Sequence, residues 1–115
     1  MPFKATNSTL KTAVDAWTDN TINANSPLST ISGFGAADST NNNASDTFGA
    51  MSLWDVSAVT NMNLLFQNKT DFNETGIQFW NVSSVTTMLQ MFQGATSFNA
   101  DLSGWDVSKV TDMGA

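Results

Sequence analysis

One nine-residue phrase constrains this chain more than any other feature. It reads W-D-V-S-A-V-T-N-M from Trp54, W-N-V-S-S-V-T-T-M from Trp80 and W-D-V-S-K-V-T-D-M from Trp105. The tryptophans are 26 and then 25 residues apart, and the likeness extends beyond the phrase. Leu65-Phe66-Gln67 aligns with Met91-Phe92-Gln93, and Phe72-Asn73 aligns with Phe98-Asn99. Met51, Ile77 and Leu102 each stand three residues before their tryptophan. A fixed period in this range means a stacked repeat, because one unit cannot cover its own apolar faces and buries them against a neighbour.

Within a unit two apolar spacings alternate. Trp105 and Val107 are two apart, with Asp106 and Ser108 facing the other way, which predicts a strand. Val59, Met62, Leu65 and Phe66 are spaced by three, three and one, which predicts a short helical or 3-10 segment. Ser57, Ser83 and Ser108 stand before those segments as N-caps. The expected fold is therefore an α/β solenoid, leucine-rich-repeat-like. Short parallel strands stack in coils of 25 or 26 residues, with short helical segments opposite. Asn73 and Asn99 are expected to stack in register and satisfy loop backbone groups.

Three regions follow. Residues 1–18 hold a capping helix over residues 7 to 18, with Leu10, Val14 and Trp17 on one face and Ser8 or Asn7 as its cap. Residues 19–47 form a long Asn/Ser/Thr-rich loop, pinned to the core through Ile22, Leu28, Ile31 and Phe34. Residues 48–115 are the repeats, about two and a half coils, the last incomplete.

Composition narrows the function. Charged residues make up only 12% of the chain, and ten carboxylates face four lysines and no arginine, for a net charge of −6. That balance argues against nucleic acid and anionic membranes, both of which need clustered cations. With no Cys and no His, disulfides, Cys/His metal sites and imidazole acid–base chemistry are excluded. No stretch is apolar enough to insert in a membrane, and no signal peptide is seen. Only carboxylates remain for acid–base work, and Asp55, Asn81 and Asp106 occupy equivalent places, so the middle Asn breaks any pair. Asp71, Glu74 and Asp101 lack the regular acidic spacing of a calcium loop. Neither catalysis nor a cofactor or metal is expected. The N-x-S/T sequons at Asn7, Asn43, Asn68, Asn73 and Asn81 do not exceed chance by enough to decide anything.

The phrases W-D-V-S-x-V-T-x-M-x-x-[LM]-F and F-N-x-D-L-S-x-W-D-V-S resemble the bacterial surface protein 26-residue repeat. This is a BspA-like, leucine-rich-repeat-like family also found in mycoplasma surface lipoproteins. The likeness is close from Phe48 to Met113, and L-K-T-A-V-D-A-W is similar to the helix that precedes the first repeat in such proteins. The resemblance implies a non-enzymatic module for protein binding or adhesion, displayed on a cell surface or a virion. Its expected binding face carries Asp55, Asn81 and Asp106. The alternative is a structural assembly subunit of a virion or surface layer. It would pack on another subunit through its last coil, at Val107, Val110 and Met113. Ice or mineral binding along Thr60, Thr86 and Thr111 is a thinner expectation, with one Thr per coil. The chain departs from the family pattern in having no lipobox cysteine, a longer stretch before the first repeat and few coils.

Overall fold

A computed structural model describes residues 3–31 and 47–112. The one α-helix among these residues, α1, spans Asn7–Thr18. The N-cap is Thr6, not Ser8 or Asn7. The Thr6 hydroxyl accepts from the Thr9 amide, and the Thr9 hydroxyl accepts from the Thr6 amide in return (2.8 Å), a reciprocal capping box. Leu10, Ala13 and Val14 are buried, while Trp17 is half-buried and packs edge-to-face on Trp54 (5.2–5.4 Å separates Trp54 from Phe3 and from Trp17).

The expected α/β solenoid of stacked strands is not what the chain forms. Among the described residues there is no strand and no sheet, only isolated bridges and short 3-10 turns. The 3-10 turns, at Leu28–Thr30, Met51–Leu53 and Thr75–Phe79, include two that lead into a tryptophan; none follows one. The W-D-V-S stretch does alternate in burial, with Trp80 and Val82 buried and Asn81 exposed. It never grows into a strand because the Asp or Asn at its second position folds back on the Ser two residues on, bending the chain at once. Ser57, Ser83 and Ser108 are accordingly donors to these Asx turns rather than helix caps.

The segment expected to be helical is a run of turns. Leu65, Gln67 and Lys69 donate their amides three residues back, to Met62, Leu64 and Phe66. The intervening amides leave the unit: Met62, Leu64, Phe66 and Asn68 donate to the carbonyls of Thr87, Leu89, Met91 and Gln93 at 2.7–3.0 Å. Left-handed backbone at Leu64 and Asn68 (φ 62° and 61°) and at their counterparts Gln90 and Gly94 (53° and 78°) turns alternate amides outward. Spacings of three are common to helices and to successive turns, so apolar periodicity does not separate the two. Between repeat units the single-residue parallel bridges fall on V-T-x-M instead, joining Asn61, Thr87 and Asp112.

Side chains add to these backbone bonds in stacking the units. Trp80 donates its indole N–H to the Met51 carbonyl of the unit before (2.7 Å), and Trp105 does the same to Ile77 (3.0 Å). Phe66, Phe72, Phe98 and Phe92 form a closed grid of near-parallel rings 4.3–5.6 Å apart. Asn99 donates its amide to Asn73 Oδ1 (3.1 Å), the expected Asn ladder, and Gln67 pairs with Gln93 (2.7 Å). Burial falls off along the repeats: Phe66, Val59 and Val85 are fully buried, whereas Phe92 in unit 2 and Trp105, Val107 and Val110 in the third copy are partly covered. Ile22 and Leu28 are buried and Ile31 is partly so, as expected; Phe34 and the rest of residues 32–46 lie outside the described residues.

The N-terminal segment closes unit 1 by imitating a preceding unit. In the repeats, Thr86 donates its amide to the Thr60 carbonyl (2.8 Å) and Thr111 to Thr86 (2.9 Å). At unit 1 the Thr60 amide donates to Asn7 Oδ1 (2.9 Å), the Asn61 amide reaches the same oxygen, and Asn7 Nδ2 donates to the Thr60 hydroxyl. Lys11 Nζ donates to the Leu65 carbonyl (3.5 Å), on the side opposite the amides that cross to unit 2. Phe3 and Ala5 bond to Asp55 through the Lys4–Asp55 bridge.

Candidate functional site

Asp55, Asn81 and Asp106 hold equivalent places in the three units, and each is tied by one oxygen to its own Asx turn. Asp55 Oδ1 accepts from the Ser57 hydroxyl (2.6 Å) and amide (3.0 Å), and Asn81 Oδ1 does the same with Ser83 (2.7 and 3.1 Å). Asp106 Oδ1 accepts from the Ser108 amide (3.0 Å). The Ser57 hydroxyl, its amide and the nearby Lys4 charge outweigh partial burial and hold Asp55 below the ordinary carboxylate value. Ser108 lowers Asp106 in the same way, hydroxyl first. These are carboxylates stabilised in the charged form, not proton donors near neutrality. The outer oxygen of each Asp and the Nδ2 of Asn81 make no hydrogen bond among the described residues.

Of the residues expected at an assembly end, Val107 and Val110 pack against the core while staying partly exposed, and Met113 lies outside the described residues. The Thr86 and Thr111 hydroxyls donate to the carbonyl of the preceding threonine (3.2 and 3.4 Å), so the threonine row also serves stacking.

A different place draws the polar residues together. The C-terminal end of α1 and residues 68–74 enclose a cleft of about 510 Å³, lined by Trp17, Asp19, Asn20, Lys69, Asp71 and Glu74 among others. Lys69 is anchored there by Asp15, whose Oδ1 also accepts from Lys11 (3.0 and 2.9 Å). Burial pushes the Asp15 carboxyl up, but the two ammonium groups overcome it and leave it below its ordinary value. No group of three or more Asp or Glu side chains among the described residues is placed to share a cation. Sequence reasoning missed this cleft because it joins two stretches about fifty residues apart. The signal available was a break in repeat symmetry: Lys69, Asp71 and Glu74 replace Ala95, Ser97 and Ala100 of the next unit.

Among the described residues no helix is long and apolar enough to cross a membrane. No curated protein and no solved structure matches the chain. Residues 32–115, which span all three copies of the tryptophan phrase, match the model of a repeat-containing family described as Mycoplasma protein of unknown function, DUF285, and the chain belongs to that family.

Proposed function

We propose that the protein is a non-enzymatic binding module that meets a protein partner at a cell surface or on a virion, a reading supported by the resemblance of its tryptophan phrases to BspA-like and mycoplasma surface repeats. One observation carries this reading: Asp55, Asn81 and Asp106 hold equivalent places in the three units, each tied by one oxygen to its own serine and each with a second polar atom that makes no hydrogen bond among the described residues. A row fixed in this way loses little side-chain entropy on docking. The net charge of −6 favours a partner with a basic face. The test is pull-down of cell-surface proteins with basic faces by the native chain and by Asp55→Lys/Asn81→Lys/Asp106→Lys. Capture by the native chain and its loss in the triple variant are expected; capture unchanged by charge reversal rules this face out.

A second reading, a structural subunit of a virion or surface layer, is favoured by the partial exposure of Leu102, Trp105, Val107 and Val110, whose counterparts in unit 2 are buried. It predicts association at micromolar concentration that Val107→Asp/Val110→Asp abolishes. Sedimentation showing a monomer at every concentration up to about 100 μM, a free energy of association weaker than about 5.5 kcal/mol, counts against it.

A further inference from the structure

Repeat symmetry makes departures from it informative. Where unit 2 reads Gly94-Ala-Thr-Ser-Phe-Asn-Ala100, unit 1 reads Asn68-Lys-Thr-Asp-Phe-Asn-Glu74, so every charge in this segment belongs to unit 1. Two of the three have a structural employment: Lys69 pairs with Asp15 (3.0 Å), and Glu74 accepts from the Gly76 amide at the start of a 3-10 turn (3.4 Å). Asp71 has none. It is exposed, and its carboxylate meets no donor among the described residues. The same holds for the side chains of Asp19, Asn20, Asn68 and Thr70, and all five line the cleft between α1 and unit 1. Several such side chains elsewhere in the repeats are spent on architecture: Asp101 closes a turn on Ser103, Asn61 on Asn63, and Asn63 reaches across to Leu89.

The lining selects a ligand by chemistry. A volume of about 510 Å³ is within the range of small-molecule sites. Apolar ligands are disfavoured, since the rings of Trp17 and Phe72 are outnumbered by amides, hydroxyls and carboxylates that would lose water unpaired. Anions are repelled by Asp19, Asp71 and Glu74, and the one cation, Lys69, already faces Asp15. An uncharged, hydroxyl-rich molecule fits: its O–H groups donate to the carboxylates and accept from the Asn amides, and a ring's C–H face can lie on an indole. Trp17 is the aromatic side chain for this, held in place by its right-angle packing on Trp54 (5.4 Å, 89°).

We propose that this cleft binds a neutral carbohydrate, a mono- or disaccharide unit. The site is separate from the Asp55–Asn81–Asp106 column and does not depend on that reading. The full chain, labelled with ¹⁵N, is titrated with lactose, maltose and N,N′-diacetylchitobiose, and separately with arginine and spermidine. Saturable shifts of the Trp17 indole and of amides 18–20 and 69–74 are expected with at least one sugar, at millimolar Kd. Asp71→Ala and Asp19→Ala, both at exposed positions, are each expected to weaken it by about tenfold, while Lys109→Ala leaves it unchanged. Absence of saturable shifts with all three sugars up to about 50 mM overturns the proposal, as does binding that survives both cleft variants at full strength. Binding of arginine or spermidine with none of the sugars overturns the carbohydrate class and leaves a cation site.

Discussion

Leu64 and Leu65 are neighbours of identical type, yet the fold treats them differently. Leu65 is 2% exposed in the core, whereas Leu64 is 39% exposed and sits in the left-handed region. That conformation costs a branched L-residue about 1–2 kcal/mol relative to right-handed backbone, and glycine escapes the cost. Glycine also enlarges the entropy of the unfolded chain by an amount of about 0.5–1 kcal/mol, so the two effects oppose each other. Leu64→Gly is therefore expected to change unfolding free energy by less than about 1 kcal/mol in either direction. Leu65→Ala, which opens a cavity beside Met62 and Phe66, is expected to lose about 2–5 kcal/mol. Urea denaturation of the two variants checks the contrast. Equal losses would mean that the alternation of turns is misassigned here. Gly94 shows why unit 2 has no side chain at the position of Asn68: a Cβ there would overlap the Asn68 side chain, and φ is +78°.

At the scale of elements, the repeat, its period, the N-terminal helix and the apolar columns were legible in the sequence, because each is written as spacing. What was not legible is the hydrogen-bonding partner of each segment. W-D-V-S alternates like a strand, but an Asx turn outcompetes lateral pairing within two residues. Met62, Leu65 and Phe66 recur as on a helix, but left-handed residues between them send alternate amides to the next unit. By sequence Asn7 is a candidate cap of its own helix; in the fold it caps the first repeat, through a contact with Thr60 and Asn61 more than fifty residues away. The columns of Asp55, Asn81 and Asp106 were visible as equivalents, while the cleft, which breaks equivalence, was visible only as three odd substitutions. Two N-terminal variants separate the capping roles. Thr6→Ala removes the capping box and is expected to cost about 0.5–2 kcal/mol, mostly by fraying α1. Asn7→Ala leaves the box intact but strips the acceptor from two amides of unit 1, at about 1 kcal/mol on an exposed site. Amide exchange at Thr60 and Asn61 is the discriminating measurement. It accelerates in Asn7→Ala before α1 itself opens, and equal acceleration throughout α1 in both variants would mean that Asn7 acts only through its helix.

For the whole molecule, pH dependence follows from which groups are tuned. With no histidine, no side chain has an unperturbed pKa in the neutral range, so stability is expected to be flat between about pH 5 and pH 8. Asp15, Asp55, Asp101 and Asp106 all lie below the ordinary value of 3.8 in the folded chain. A depressed folded pKa means that the unfolded chain binds the proton first, so these groups add stability that is fully present above 3.8 and is lost as pH falls through the lower folded values. The size of the loss is weighted toward Asp15 and Asp55. Asp15 bridges Lys11 and Lys69 and so fastens α1 to unit 1, and Asp55 shapes the turn beside the Lys4 bridge. Asp101 and Asp106 lie in solvent, where water competes with their serines. Thermal denaturation from about pH 7 to about pH 2 should show a plateau and then a fall that begins near pH 4. In Asp15→Asn/Asp55→Asn the plateau should be lower and the fall shallower, because the protons that drive it have no tuned site left to bind. A fall as steep as in the native chain would place the acid sensitivity in other carboxylates. A decline that starts above about pH 5 would contradict the direction of these four shifts.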